Sequence, residues 1–168
     1  GSDVVKPVLN YYNKFGGTRY VKGITTREVY ATRKSHVNYV VADTEEWEQI
    51  AAKALDDPDL DDLVISYVKN AYLGFAVPYV DAFGVDRLYY PDFIARCRIP
   101  QGGTMNLIIE ITGVNQDKNE KRWYMAERWL RAVNAVREKY GYDEWRFLEV
   151  AGDIRDIKNE IIATIREG

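Results

Sequence analysis

Tyr90-Pro91-Asp92-Phe93, followed after a turn at Gly102-Gly103 by Leu107-Ile108-Ile109-Glu110-Ile111-Thr112, is the stretch on which the fold turns. Side chains of a strand alternate between its two faces, so Glu110 and Thr112 point one way while Leu107, Ile109 and Ile111 point the other. Glu110 therefore interrupts a strand that is otherwise almost wholly apolar. An ionised carboxylate in that setting is costly unless it is paired or bound to metal, and Asp92 on the neighbouring strand adds a like charge. A divalent cation resolves the conflict. Magnesium takes hard oxygen ligands, commonly one or two carboxylates with water and phosphate, and Asp92, Glu110 and the Ile111 carbonyl are the candidate protein ligands.

Working outward, three strands are expected at about 74–80, 87–98 and 105–112, forming an antiparallel meander. Upstream, residues 18–32, broken by Gly23, read as a strand pair or a kinked strand, and 36–41 as another short strand. A helix then begins at the N-cap Asp43 and carries Trp47, Ile50, Ala51, Ala54 and Leu55 on one face. Pro58 ends it, and Leu63, Val64, Tyr67 and Val68 suggest a second helix before Gly74. Downstream, Ala126, Trp129, Leu130, Val133 and Val136 recur at helical spacing over about 116–140, with Gly141 as C-cap. A strand at 145–150 and a helix from Asp153, striped by Ile154, Ile157, Ile161 and Ile165, close the chain. The expected architecture is a single α/β domain with a mixed central sheet flanked by helices, in core order α-β-β-β-α-β.

Composition limits the function. The chain has 168 residues, 46% of them hydrophobic, which suits one core. No run of about 18 apolar residues is present, so no membrane partner is expected. One cysteine, Cys97, excludes an internal disulfide and a cysteine-based zinc cluster, and fits a cytoplasmic setting. Gly1-Ser2 reads as an expression scar. The net charge is −3, but residues 1–40 hold seven basic and two acidic side chains, leaving the remainder at −8. Residues 3–34 thus read as a basic, strand-rich arm on an acidic core of 35–168. That arm, with Arg33 and Lys34 among its charges, either contacts DNA phosphates or protects a sheet edge.

A Pro-Asp on one strand and an acid on the next resembles the PD-(D/E)XK nucleases. Longer segments sharpen the resemblance to one family, the C-terminal endonuclease domain of type III restriction helicase-nuclease subunits. They are Ser35-His36-Val37-Asn38-Tyr39-Val40-Val41-Ala42-Asp43-Thr44, Trp47-Glu48-Gln49, Tyr67-Val68-Lys69-Asn70 and Leu73-Gly74-Phe75 with Pro78-Tyr79. Asn106-Leu107-Ile108 leading into Glu110-Ile111-Thr112-Gly113, then Asp117-Lys118, Trp129, Ala132-Val133-Asn134 and Trp145, continue it over about residues 35–150. The resemblance implies a magnesium-dependent endonuclease, with manganese as a substitute, acting on double-stranded DNA. It also implies an upstream helicase in the same subunit, the only part that uses ATP, and a modification methyltransferase partner. The family pattern places lysine two residues after the glutamate, where Thr112 stands here. Lys118 and Lys121 are the candidate replacements; if neither serves, the chain is a catalytically silent nuclease-like module that binds DNA or docks onto the motor.

Other residues carry weaker signals. Glu48 is a candidate third acid, whereas Glu45 and Glu46 suit a helix terminus. His36, the lone histidine, lacks a serine or cysteine partner and reads as structural. Trp47, Trp123, Trp129 and Trp145 sit at packing positions, and Tyr11, Tyr12, Tyr20 and Tyr30 lie among the basic residues of the arm. Gly102-Gly103 has neither the spacing nor the following helix of a phosphate loop, which weighs against a small-molecule α/β enzyme.

Overall fold

The computed structural model describes residues 29–35, 39–41, 46–70, 75–81, 83–111, 125–150 and 154–167. Outside them lie most of the expected strand at 18–32, the cap Asp43, Glu45, His36, Thr112, Lys118, Lys121 and Trp123.

A short antiparallel pair, β1 (Val29–Ala31) and β2 (Tyr39–Val41), precedes the first helix, α1 (Glu46–Leu55). Ala51, Ala52, Ala54 and Leu55 are buried, with Trp47 and Ile50 packed against the same cluster, so the expected helical face is the one that meets the core. After α1 comes a 3-10 turn, Pro58–Leu60, entered at Asp57, whose carboxylate accepts from the Asp59 N–H at 2.9 Å.

The next segment departs from expectation. Residues 64–69 form a strand, β3 (Val64–Lys69), and not a second helix. Val64, Ile65, Tyr67 and Val68 are β-branched or aromatic and favour a pleated surface. The pairing slips between Val64 and Ser66, so the buried positions become 64, 67 and 68. A bulge of this kind breaks the period of two and copies the spacing of a helical stripe.

Consequently the expected meander is redistributed. Residues 74–80 do not supply its first strand, because β4 (Val77–Val80) pairs only with β5 (Asp86–Tyr89) in a separate hairpin. The expected strand 87–98 is broken at Tyr90-Pro91-Asp92, and its second part is β6 (Phe93–Arg98). With β7 (Thr104–Ile111) and β8 (Glu144–Val150), the main sheet runs β3-β6-β7-β8. The first two pairings are antiparallel and β7-β8 is parallel, joined through a π-helical turn, Met125–Trp129, and α2 (Leu130–Tyr140). Gly141 ends α2 at φ 67°, the left-handed conformation that glycine tolerates. The chain finishes with α3 (Ile157–Arg166) after the turn Ile154–Asp156. Leaving aside β1, β2 and the β4-β5 hairpin, the order is α-β-β-β-α-β in a mixed sheet flanked by helices.

The sheet has two packed faces. Met105, Leu107, Ile109 and Ile111 of β7 join α1 and Ile154, Ile157, Ile161 and Ile165 in the main core. Ile108 faces the other side, with Val77 and Tyr89 of the hairpin and the half-buried Phe75, Trp129, Trp145 and Phe147. Phe75 stacks on Trp145 at 5.7 Å between ring centres, and Trp129 meets both rings edge-on. Asn134 fixes α2 to β8 by exchanging two hydrogen bonds of 2.9 Å with the Trp145 backbone. Trp47, Trp129 and Trp145 thus pack within the protein, as their spacing suggested. Among the described residues, no helix is long and apolar enough to cross a membrane.

Candidate active site

Glu110 lies on the Ile108 side of β7, as strand alternation requires, and is only 4% exposed. Asp92 occupies the bend just before β6 instead of the strand itself. Phe93 pairs with Ile109, so stepping back one residue on β6 and forward one on β7 brings Asp92 beside Glu110. The two side chains share a hydrogen bond. A bond between two carboxyl groups requires a proton, because an ionised carboxylate only accepts.

Each acid is also anchored separately. Asp92 Oδ2 accepts from the Ile111 N–H at 2.7 Å, and Glu110 Oε2 accepts from the Tyr89 hydroxyl at 2.6 Å. Burial, and next the Glu110 charge, push the Asp92 carboxyl up to about 8 against the opposing pull of the Ile111 N–H; the Glu48 charge adds to the rise. Burial, then the charge of Glu110, raises the Tyr89 phenol well above its ordinary range, so the hydroxyl remains a donor.

The bend that presents Asp92 is built by Asn70, which is 5% exposed. Its side-chain amide donates to the carbonyls of Phe75 at 2.7 Å and Pro91 at 2.9 Å, and its Oδ1 accepts from the Phe75 N–H at 3.1 Å. Its backbone N–H donates to the Asp92 carbonyl at 2.8 Å. One residue therefore ties together the end of β3, the entry to the hairpin and the Pro91-Asp92 bend.

Two further carboxylates approach. Glu48 of α1 is close enough for its charge to act on Asp92, but its Oε2 lies 2.6 Å from Lys69 Nζ in a largely buried ion pair. Glu149 of β8 is the register partner of Glu110, and its charge reaches Tyr89. Even so, among the described residues no group of three or more His, Cys, Asp or Glu side chains is arranged to hold a metal ion. The donor set that fits a cation is the Asp92-Glu110 pair, whose shared proton a hard cation can replace, with water completing the shell.

Of the sequence candidates, Asp92, Glu110 and the Ile111 backbone come together; Ile111 contributes its N–H to Asp92. Lys118 and Lys121 are outside the described residues, and Lys69 is ion-paired with Glu48. Tyr89, Asn70, Lys69 and Glu149 were not singled out as site residues. Tyr67-Val68-Lys69-Asn70 had signalled only resemblance, and the β7-β8 register that pairs Glu110 with Glu149 leaves no local mark. Arg33 and Lys34 of the basic arm are already engaged. Asp56 accepts from both their backbone N–H groups, and Asp61 lies 3.0 Å from the Arg33 guanidinium and 2.8 Å from Lys34 Nζ. Cys97 is fully buried, and burial pushes its thiol up to about 12, so it is inert as a nucleophile. No family model, curated protein or solved structure matches the chain.

Proposed function

We propose that the chain is a metal-dependent endonuclease domain that hydrolyses DNA phosphodiester bonds. The observation that carries this reading is the pairing of half-buried Asp92 with buried Glu110, two anchored acids at adjoining ends of neighbouring strands. The resemblance supplies the finer assignment: a PD-(D/E)XK core from a type III restriction subunit, working in the cytoplasm with an upstream helicase and a modification methyltransferase.

Asp92, Glu110 and the Ile111 carbonyl would hold Mg2+, or Mn2+ in its place. When bound, the ion supplies charge neutralisation at the scissile phosphate and a more acidic water. The chain's own part begins with loss of the proton that joins the two acids. The Ile111 N–H and the Tyr89 hydroxyl hold the two carboxylates in place, and Asn70 keeps the Asp92 bend from relaxing. Lys118 or Lys121 would supply an ammonium to the charge that develops on phosphate. Double-stranded DNA is the substrate, read mainly through its phosphates.

The test is cleavage of supercoiled plasmid in Mg2+ and in Mn2+, with Asp92→Ala and Glu110→Ala beside the wild type. Metal-dependent cutting lost in both variants is expected. No cutting by this chain or by a complete helicase-nuclease subunit assembled with its methyltransferase would favour the silent module. Cutting that survives the paired Lys118→Ala and Lys121→Ala change would remove those lysines from the mechanism.

A further inference from the structure

We propose that Tyr89 is a positioning residue, carried by the β4-β5 hairpin, that fixes Glu110 for metal binding; this rests on the metal-dependent reading above. The hairpin is not part of the main sheet. Even so, its last residue reaches across to the acid on β7. Tyr89 is 5% exposed and packs with Val77 and Ile108, which holds the ring while its hydroxyl donates to Glu110 Oε2 at 2.6 Å.

The two acids are thereby held in matching ways. Asp92 has one oxygen on the Ile111 N–H, and Glu110 has one oxygen on the Tyr89 hydroxyl. The two carboxyl groups also meet each other. A glutamate has three side-chain torsions, and without an external donor its carboxylate is free to turn away from Asp92. The phenol removes that freedom. Donors that orient metal ligands from behind commonly affect metal affinity 10–100-fold.

The experiment compares wild type, Tyr89→Phe and the outer-face control Leu88→Ala by calorimetric titration with Mn2+ alone and with Mg2+ alone. Plasmid cleavage is then followed against metal concentration. Leu88 is exposed on the same hairpin, so Leu88→Ala is expected to bind metal as wild type does. For Tyr89→Phe, about a 10–100-fold weaker metal affinity is expected. Its cleavage rate should return to within a few-fold of wild type at saturating metal. That split separates positioning from general damage, which would lower the rate at every metal concentration and overturn the proposal. Wild-type metal affinity in Tyr89→Phe would also overturn it while leaving the nuclease reading intact. Failure of the wild type to bind either ion would remove the nuclease reading, and this inference with it.

Discussion

Replacing Asp92 with asparagine should alter the pH dependence of folding in a direction fixed by the site. In the metal-free protein burial and the neighbouring Glu110 charge push the Asp92 carboxyl up to about 8, so the acid pair keeps a proton that the unfolded chain releases near the ordinary value of about 4. Between those limits the folded state holds a proton that the unfolded state has lost. Asp92 therefore contributes stability that is fully present below about pH 4 and is lost as pH rises toward about 8. One proton corresponds to a slope of up to about 1.4 kcal/mol per pH unit. From about pH 5.5 to about pH 7.5 the loss is roughly 3 kcal/mol, or roughly 6–12 °C in melting temperature for a chain of this size. In Asp92→Asn, the amide oxygen still accepts from Ile111, the amide nitrogen donates to Glu110, and the titrating proton is gone. Thermal melts in chelator across this range should show a slope shallower than wild type by that amount. Millimolar Mg2+ should stabilise the wild type most at the upper end, where the proton it displaces is held least tightly, and leave Asp92→Asn unaffected. Parallel pH profiles for the two proteins would refute the shared-proton account.

Other changes should behave as follows. Asn70→Ala removes three side-chain hydrogen bonds at a buried junction; urea denaturation should show a loss of about 3 kcal/mol, with cleavage reduced as the Asp92 bend loosens. Glu48→Gln removes the carboxylate charge that faces Lys69 in a mostly buried position. A loss of about 1–3 kcal/mol is expected in the same assay, and a normal melting curve would show the pair to be better solvated than its burial implies. Because Arg33 and Lys34 are held by Asp56 and Asp61, replacing both with alanine should leave the salt dependence of DNA affinity unchanged. A shallower slope in a binding titration would place them on phosphate. Phe83, 91% exposed at the hairpin tip, should tolerate serine within about 0.5 kcal/mol by thermal melting.

How much could be read from the chain depended on how local the relevant physics was. The stripe Ile154, Ile157, Ile161 and Ile165 and the alternation through Leu107, Ile109 and Ile111 are properties of one element each, and all seven residues are buried in the main core. The Gly141 cap is equally local. Val64, Tyr67 and Val68 misled because a bulge gave a strand the spacing of a helix, and that bulge is defined only against β6. Tyr90-Pro91-Asp92 marked the candidate site but hid the break between β5 and β6. Asn70 and Tyr89 reach the site from elsewhere in the chain, through contacts 21 residues distant in sequence. A polar residue in a strand-rich segment does not announce the backbone it will hold.

The acid pair is a poor device for stabilising this fold. Burying two carboxyl groups side by side opposes ionisation, and a hydrophobic pair of similar volume would serve packing as well or better. Yet each acid has a dedicated donor, and the bend that presents Asp92 is secured by a buried asparagine whose amide bonds three backbone groups. Those contacts fix where the oxygens lie without removing the conflict between the two acids. Such an arrangement suits exchange of the shared proton for a divalent cation: the second negative charge that appears when the proton leaves is what a doubly charged ion would offset. If the pair were silent, relaxing it should have no functional cost. Asp92→Asn would then give a protein more stable at neutral pH with DNA binding unchanged by Mg2+ in either form. If the pair holds metal, the same substitution should stabilise the fold and abolish cutting together.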